Sequence, residues 1–525
     1  MHINASVTPS SPVKAPPPPL LTAAWEAAHG PTTASPTAAL RQTRADEPCA
    51  RLARMNFTRD VVDAVPRTRI ALVAIDHAGA RRELTFGEVS HRAARLAGTL
   101  TTAGVGRGDV VMTLIGNRPE WVLALLACFR IGAVALPCSE QLRAGDLRAR
   151  MDAAEPALVI ADERDADTVR AAGFAGTVLD ADDERLYAAA PVPAVDLSDE
   201  DAALIVFTSG TTGAPKPIRH GQRYLAGQAV QAEHWFGARE GELAWCTAAS
   251  GWSKSTRNSF IAPWLRGASA LLHDARFDAQ ERLELVEREG VDVLCMAPTE
   301  YRAIAKRAQL RPLGLRHAVA AGEPLNPEIV ELWQERASDA VHDGYGQTET
   351  GALTGMPLGE PVRPGSMGRP LPGFRLWVEE GELCADPATV PTFFIDGPRE
   401  EPWHTGDRVR EDADGYLWFE GRTDDVIISA GYRIGPFEVE SALLSHPAVA
   451  EAAAVAAPDD ERGQVVRAVV VLRAGHAPGD QLAAELQRHA REQTAPYKYP
   501  RIVDFANELP KTASGKIRRA ALRGA

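Results

Sequence analysis

From about residue 55 onward the spacing of apolar and polar positions switches repeatedly between a strand-like and a helix-like period. Thr85 with Glu88 has the reciprocal pattern of a capping box, and behind it Val89, Ala93, Leu96 and Leu100 recur at helical spacing. Residues 110–115 form a short apolar run, read as a buried strand. Asn117 and then Pro119 predict the N-cap and first turn of the next helix, and Gly132 lies just past its end. Residues 203–207 read as a strand, 279–289 as a helix, 291–295 as a strand and 327–336 as a helix. Strands alternating with helices in this way predict α/β architecture with largely parallel sheets.

After about residue 424 the units shorten. Residues 426–429 read as a strand, 437–444 as a helix behind Pro436, 465–472 as a strand and 481–491 as a helix. This predicts a small α+β domain of about 100 residues. Residues 1–45 are rich in Pro, Ala, Ser and Thr, include Pro16, Pro17, Pro18 and Pro19, and lack apolar periodicity. They read as a disordered tail. The expected division is therefore a tail over 1–45, a large N-terminal α/β domain over 46–423 and a small α+β C-terminal domain over 424–525.

Composition narrows the function classes. Hydrophobic residues make up 45% and charged residues 24% of the 525, which excludes a wholly disordered, collagenous or coiled-coil chain. Lys+Arg number 57 against Asp+Glu 70, a net charge of −13, which speaks against nucleic acid as a general partner. Cys49, Cys128, Cys138, Cys246, Cys295 and Cys384 are scattered without a Cys-x-x-Cys pair, as expected of reduced thiols. Arg130 interrupts the most apolar stretch, 121–138, and Pro137 ends it, so no membrane span is expected. Glu26 and His29 break up the one candidate for a secretory signal core. A cytoplasmic protein is expected.

The strongest local signal follows the strand at 203–207. It is Thr208, Ser209, Gly210, Thr211, Thr212, Gly213, Ala214, Pro215 and Lys216. Glycines allow a tight turn that brings backbone N–H groups to an anion, the hydroxyls add donors and Lys216 adds charge. This is chemistry for a polyphosphate. It is not the Walker pattern, because Gly210 and Gly213 are too close and Pro217 follows the lysine.

This segment resembles the signature of the adenylate-forming enzymes, the superfamily of acyl- and aryl-CoA synthetases, peptide-synthetase adenylation domains and luciferases. Further segments match in the family's order. They are Ala321-Gly322-Glu323-Pro324, Asp343-Gly344-Tyr345-Gly346-Gln347-Thr348-Glu349, Trp403-His404-Thr405-Gly406-Asp407, Gly421-Arg422-Thr423-Asp424-Asp425 and Pro510-Lys511-Thr512-Ala513-Ser514-Gly515-Lys516. The resemblance covers about residues 55–522. Within the superfamily the chain most resembles the medium-chain acyl-CoA synthetases, through Gly251-Trp252, residues 321–327, 429–440 and 494–501.

The resemblance implies ATP, Mg²⁺ and coenzyme A as reactants, with a medium-chain or aryl carboxylic acid as the small-molecule partner. A carrier protein is the alternative acceptor to coenzyme A. Lys516 would bridge the acid and the α-phosphate. Thr348 would bind the α-phosphate or the acid, and Glu349 would hold the metal. The loop from Thr208 to Lys216, with Gly322, Glu323, Pro324, Asp343, Gly344, Tyr345, Gly346, Gln347, Asp407 and Arg422, would bind ATP. Tyr345 would offer its ring to adenine, and Asp407 would accept from the ribose hydroxyls. Asp424 would be the hinge about which a mobile small domain swings. Ala430, Gly431 and Tyr432, with Gln141, Arg462 and Arg491, would meet coenzyme A. Trp252, Trp264, Thr348, Gly351 and Arg433 would line the acyl site.

Two departures qualify this. The stretch 381–403 is shorter than the family's, and the missing residues are expected on the surface near the ribose. Ala249 and Ser250 replace the branch's usual Asp-Thr before Gly251-Trp252, which bears on a simple fatty-acid substrate. Lys254 has two readings, a salt bridge to a polar substrate or a solvated side chain, and the second is the expectation. No acidic residue lies between Trp245 and Trp264, which argues against an amino-acid substrate.

Overall fold

The computed structural model describes residues 55–208, 216–337, 340–430, 432–459, 461–495, 497–511 and 517–523. The predicted tail over 1–45 lies outside the described residues. Two parallel-rich sheets carry the large domain. One has the strand order Thr177–Asp180, Leu158–Ala161, Val110–Leu114, Val134–Cys138, Ala202–Thr208, Lys216–Gly221. Its neighbours are parallel except the last pair, which is antiparallel. The other has nine strands. Val341–Gln347, His317–Ala321, Val293–Met296, Leu243–Cys246, Ser269–His273 and Ile70–Ile75 run parallel at its centre, and antiparallel strands close both edges.

The helix Pro119–Ile131 is buried along its whole length, which is why its sequence is apolar on every face. It packs with Phe57, Phe86 and Trp264 into the largest apolar core. A four-stranded antiparallel sheet follows, Leu376–Glu379, Glu382–Ala385, Trp403–Glu411 and Leu417–Arg422. The small C-terminal domain pairs Val449–Asp459, Gly463–Leu472 and Ile502–Phe505, covered by the helices Pro436–Leu444 and Asp480–Gln493. The fold class is the one read from the sequence.

The capping box is present. Thr85 Oγ1 accepts from Glu88 N at 3.2 Å, and Glu88 Oε2 accepts from Thr85 N at 2.7 Å. The cap predicted at Asn117 is corrected. Arg118 occupies the N-cap position without a side-chain cap, and the Asn117 amide instead donates to Ala248 O at 3.2 Å. The strand predicted at 291–295 begins two residues later, at Val293. Gly290 is left-handed, and Val291 N returns to Val286 O to close the preceding helix, so Val291 belongs to the helix stop. Among the described residues no helix is long and apolar enough to cross a membrane.

Candidate active site

The segments Ala321-Gly322-Glu323-Pro324 and Asp343–Gln347 lie at the carboxyl ends of neighbouring parallel strands, where open α/β sheets hold their ligands. Thr208 and Lys216 are register partners at the open end of an antiparallel pair. The loop between them, including Ser209, Gly210, Thr211, Thr212 and Gly213, lies outside the described residues. Ala321 and Gly344 are partners in the other sheet, so the Gly322-Glu323-Pro324 segment leaves its strand beside the Asp343–Gln347 segment.

Thr348, Glu349 and Thr350 form the turn between Val341–Gln347 and Gly351–Gly355. Thr350 Oγ1 accepts from Gln347 N at 3.1 Å and fixes the turn. Gly346 and Gly351 are required there. A Cβ on Gly346 would lie 1.8 Å from Gly351 O, and Gly351 has φ +70° with Thr392 Oγ1 2.8 Å from where a Cβ would stand. Gly351 therefore faces Thr392 of the protein itself.

Behind the turn is a hydrogen-bonded assembly. Tyr345 Oη donates to Asp407 Oδ2 at 2.5 Å. Gln347 Nε2 donates to the same oxygen at 2.8 Å and to Thr405 O at 2.7 Å. Gln347 Oε1 accepts from Trp403 Nε1 at 3.0 Å. Arg422, the register partner of Asp407, donates from Nη1 to Asp407 Oδ1 and to Thr405 O, both at 3.0 Å. Burial raises the Tyr345 hydroxyl well above its ordinary pKa, and the Asp407 carboxylate raises it further. Asp407 thus stays the acceptor. A carboxylate has about four lone-pair sites and three are taken here, so acceptor capacity remains for one ligand hydroxyl.

Asp343 is buried and accepts from Gly344 N at 2.9 Å. Burial pushes its carboxyl well above the usual range. Burial alone would raise Glu323 too. Arg302 at 2.8 Å and the Thr299 donors outweigh it and hold Glu323 below the usual range. The Glu323 side chain is therefore committed to the helix Pro298–Arg307, and its segment offers a ligand mainly backbone.

The shortened stretch reaches into the interior. Its residues 390–393 are largely buried, with Val390, Thr392 and Phe393 at 2% exposure or less. Phe394 N donates to Glu349 O at 2.9 Å and Ile395 N to Arg219 O at 2.9 Å. This segment joins the Thr348–Glu349 turn to the strand that follows the phosphate loop.

Other candidates scatter. Trp264 is corrected to a core residue. It is 1% exposed, packs on Phe86 and Phe260 and donates to Ala71 O at 3.0 Å. Trp252 is half-buried and precedes the short helix Ser253–Thr256. Lys254, expected in solvent, turns inward and donates to Ala321 O at 3.1 Å. Asp424 is exposed; Arg422 Nε lies 3.6 Å from its carboxylate and Arg523 donates to its carbonyl at 3.3 Å. Ala430 N donates to Arg462 O at 3.0 Å, so these two adjoin. Tyr432 is exposed and stacks on Tyr497 with centroids 4.4 Å apart. Arg491 lies over the Tyr499 ring at 5.6 Å, and Gln141 sits on an exposed turn of the large domain. No hydrogen bond among the described residues joins Gln141 or Arg491 to Ala430. Gly431, the Arg433 side chain and Lys516 lie outside what is described; Lys511 and Ile517, which bridge to each other, flank Lys516's segment.

Glu349 belongs to neither of the two clusters of acidic, His and Cys side chains close enough to share an ion among the described residues. A single carboxylate beside phosphate oxygens is the donor set Mg²⁺ favours, since it keeps several waters and few protein ligands.

Residues 59–391 match the family model of the AMP-binding enzyme, and residues 438–516 that of the AMP-binding enzyme C-terminal domain. The chain is 38% identical over 496 residues to the uncharacterized acyl-CoA ligase YtcI of Bacillus subtilis (strain 168), covering 87% of this chain and 93% of that protein. It is 36% identical over 521 residues to the mitochondrial acyl-coenzyme A synthetase ACSM3 of Rattus norvegicus, covering 89% and 90% respectively. A benzoate CoA ligase from Burkholderia xenovorans LB400 has a similar structure, with TM-score 0.79 at 27% identity over 89% of this chain and 100% of that one. With its large domain and its small domain each matched in order, the chain belongs to the AMP-binding enzyme family.

Proposed function

We propose that this protein is an ATP-dependent acyl-CoA ligase of the AMP-forming kind, acting on a medium-chain or aryl carboxylic acid. The observation that carries this reading is the joining of Tyr345, Gln347, Asp407 and Arg422 into one hydrogen-bonded unit directly behind the Thr348–Glu349 turn. That unit suits a nucleoside. We assign a flat base to the side of Tyr345 that faces the backbone after Ala321, and Asp407 keeps an acceptor site for a hydroxyl.

In the first half-reaction a carboxylate oxygen bonds to the α-phosphorus of ATP, and the bond to pyrophosphate breaks. In the second, the thiol of coenzyme A bonds to the acyl carbon, the bond to AMP breaks and the thiol proton leaves to solvent. Both halves move negative charge, so fixed donors and cations dominate the barrier. Thr348 offers a hydroxyl at the reacting end, Arg422 positive charge near the ribose and Lys516, by resemblance, the cation of the first half. Glu349 would hold Mg²⁺, which neutralises phosphate charge when bound. Asp424 is assigned the hinge between 46–423 and 424–525, with Ala430, Gly431 and Tyr432 meeting coenzyme A in the second half. A soluble, cytoplasmic enzyme fits this reading.

ATP–pyrophosphate exchange with a carboxylic acid, followed by thioester formation on adding coenzyme A, tests the proposal. Exchange that never yields a thioester would move the acceptor to a carrier protein.

A further inference from the structure

Behind the Thr348–Glu349 turn, a second group of polar side chains is buried with no apparent purpose in nucleotide binding. It lies between the helix Gln222–Gln231 with the strand Lys216–Gly221 on one side, and residues 253–261 on the other. His220 is 0% exposed, its ring centroid is 4.0 Å from that of Tyr224, and neither ring nitrogen has a hydrogen-bond partner among the described residues. Arg257 is 5% exposed, and its Nε and Nη1 likewise have none. Gln228 and Gln231 each leave a buried amide oxygen unpartnered, although Gln231 Nε2 is fixed on Asn258 Oδ1 at 2.9 Å.

Such atoms are not spread evenly. About half of the unpartnered buried polar atoms among the described residues fall within 220–231 and 256–259. Each neutral one costs about 1–3 kcal/mol if it stays so, and a buried unpaired guanidinium costs more. Native proteins rarely leave such groups without a ligand, ion or water. The cluster also has a direction. The backbone of Thr348 and Thr392 lies within reach of the His220 ring without a well-aligned hydrogen bond, and Arg223 and Arg257 are its charged neighbours. Lys254, one turn before Arg257, reaches Ala321 O at the end of the strand that precedes Gly322. The cluster therefore extends inward from where the reacting carboxylate is assigned.

We propose that the tail of the acyl substrate reaches Arg257 beside His220, Gln228 and Gln231, and that this tail carries a second carboxylate, which pairs with Arg257. The substrate class is then a dicarboxylic acid, aliphatic or aryl, activated at one end. The charge argument is direct. Arg257 is a buried cation with no ion pair among the described residues, and residues 245–264 contain no Asp or Glu, while the nearby Lys254 already has the Ala321 carbonyl and the field of Asp343. An ammonium-bearing tail would be repelled and an aliphatic tail would leave the guanidinium unpaired.

This inference rests on the ligase reading, and the experiment separates the two. ATP–pyrophosphate exchange and coenzyme A thioester formation are measured for a monoacid, the dicarboxylic acid and the acid-amide of matched length, in aliphatic and aryl series. They are run with wild type, Arg257→Leu and Arg257→Lys. The expected result is a preference of wild type for the diacid over the monoacid of about 100-fold or more in kcat/KM, as for a site whose polar groups a substrate must satisfy. Arg257→Leu removes that preference and Arg257→Lys keeps part of it. If Arg257→Leu does not fold, the wild-type ranking and Arg257→Lys still decide. Monoacids turned over as well as diacids, or an amide equal to the diacid, overturn the second carboxylate while the ligase stands. Exchange with the diacid but no thioester upholds the pocket and overturns coenzyme A as acceptor. No exchange with any acid overturns both.

Discussion

The Tyr345 hydroxyl donates to Asp407 Oδ2 at 2.5 Å, and so ties the strand Val341–Gln347 to the strand Trp403–Glu411. Two segments that lie about sixty residues apart in the chain become one surface. Asp407→Ala removes the shared acceptor and leaves Tyr345, Gln347 and Arg422 facing an empty space. The expected loss is about 10²–10³ in kcat/KM for ATP, read by pyrophosphate exchange. Tyr345→Phe keeps the ring and loses one bond to a charged acceptor, so about a tenfold loss is expected.

Glu323 is predicted to matter more to stability than to chemistry. Its carboxylate accepts from Arg302 and Thr299, and both members of the ion pair are about four-fifths buried. Glu323→Gln leaves the Arg302 charge half-satisfied, and a loss of about 2–3 kcal/mol is expected in urea denaturation. KM for ATP should change much less than in Asp407→Ala.

Gly351→Ala tests the turn. The left-handed backbone and the Thr392 hydroxyl both oppose a Cβ there. About 2–3 kcal/mol of stability should be lost, and activity should fall further than stability explains, because Thr348 and Glu349 move with the turn. Unchanged kinetics in Gly351→Ala would show that the turn does not position them.

His220 gives a pH dependence. Burial drives its imidazole from 6.5 down to about 3. Below pH 6.5 the unfolded chain takes up a proton that the folded protein refuses, so stability falls as pH drops from 6.5 toward 3. Between pH 7.5 and pH 5 this group alone should cost about 2 kcal/mol. His317, also driven to about 3 by burial and the neighbouring His342, acts in the same direction. His220→Phe should flatten the profile by its own share; an unchanged slope in urea titrations would contradict the buried neutral ring.

Local pattern made much of this legible. The Thr85–Glu88 box, the helix Ala279–Glu289 and the helix Pro436–Leu444 follow from periodicity and caps, because their signals are local. Asn117 misled because its amide is recruited by a distant carbonyl, at Ala248. Trp264 misled because an aromatic near a pocket segment and an aromatic in a core read alike in one dimension. The Arg257–His220 cluster left a faint sequence signal, a polar run over 253–259. Its meaning appears only when the helix Gln222–Gln231 is laid against it. The role of 390–395 could not be read at all, since it depends on two backbone bonds to segments far away in the chain.

The central claim is that this chain makes acyl thioesters through an adenylate. The most direct measurement is ATP-dependent thioester formation across a carboxylic-acid panel, read by mass, with Lys516→Ala beside wild type. The account predicts acyl-CoA, AMP and pyrophosphate from wild type, and a loss of about 10²–10³ or more in the variant's adenylation rate. Wild type that binds ATP yet releases no pyrophosphate with any acid, or a Lys516→Ala variant as fast as wild type, would contradict it.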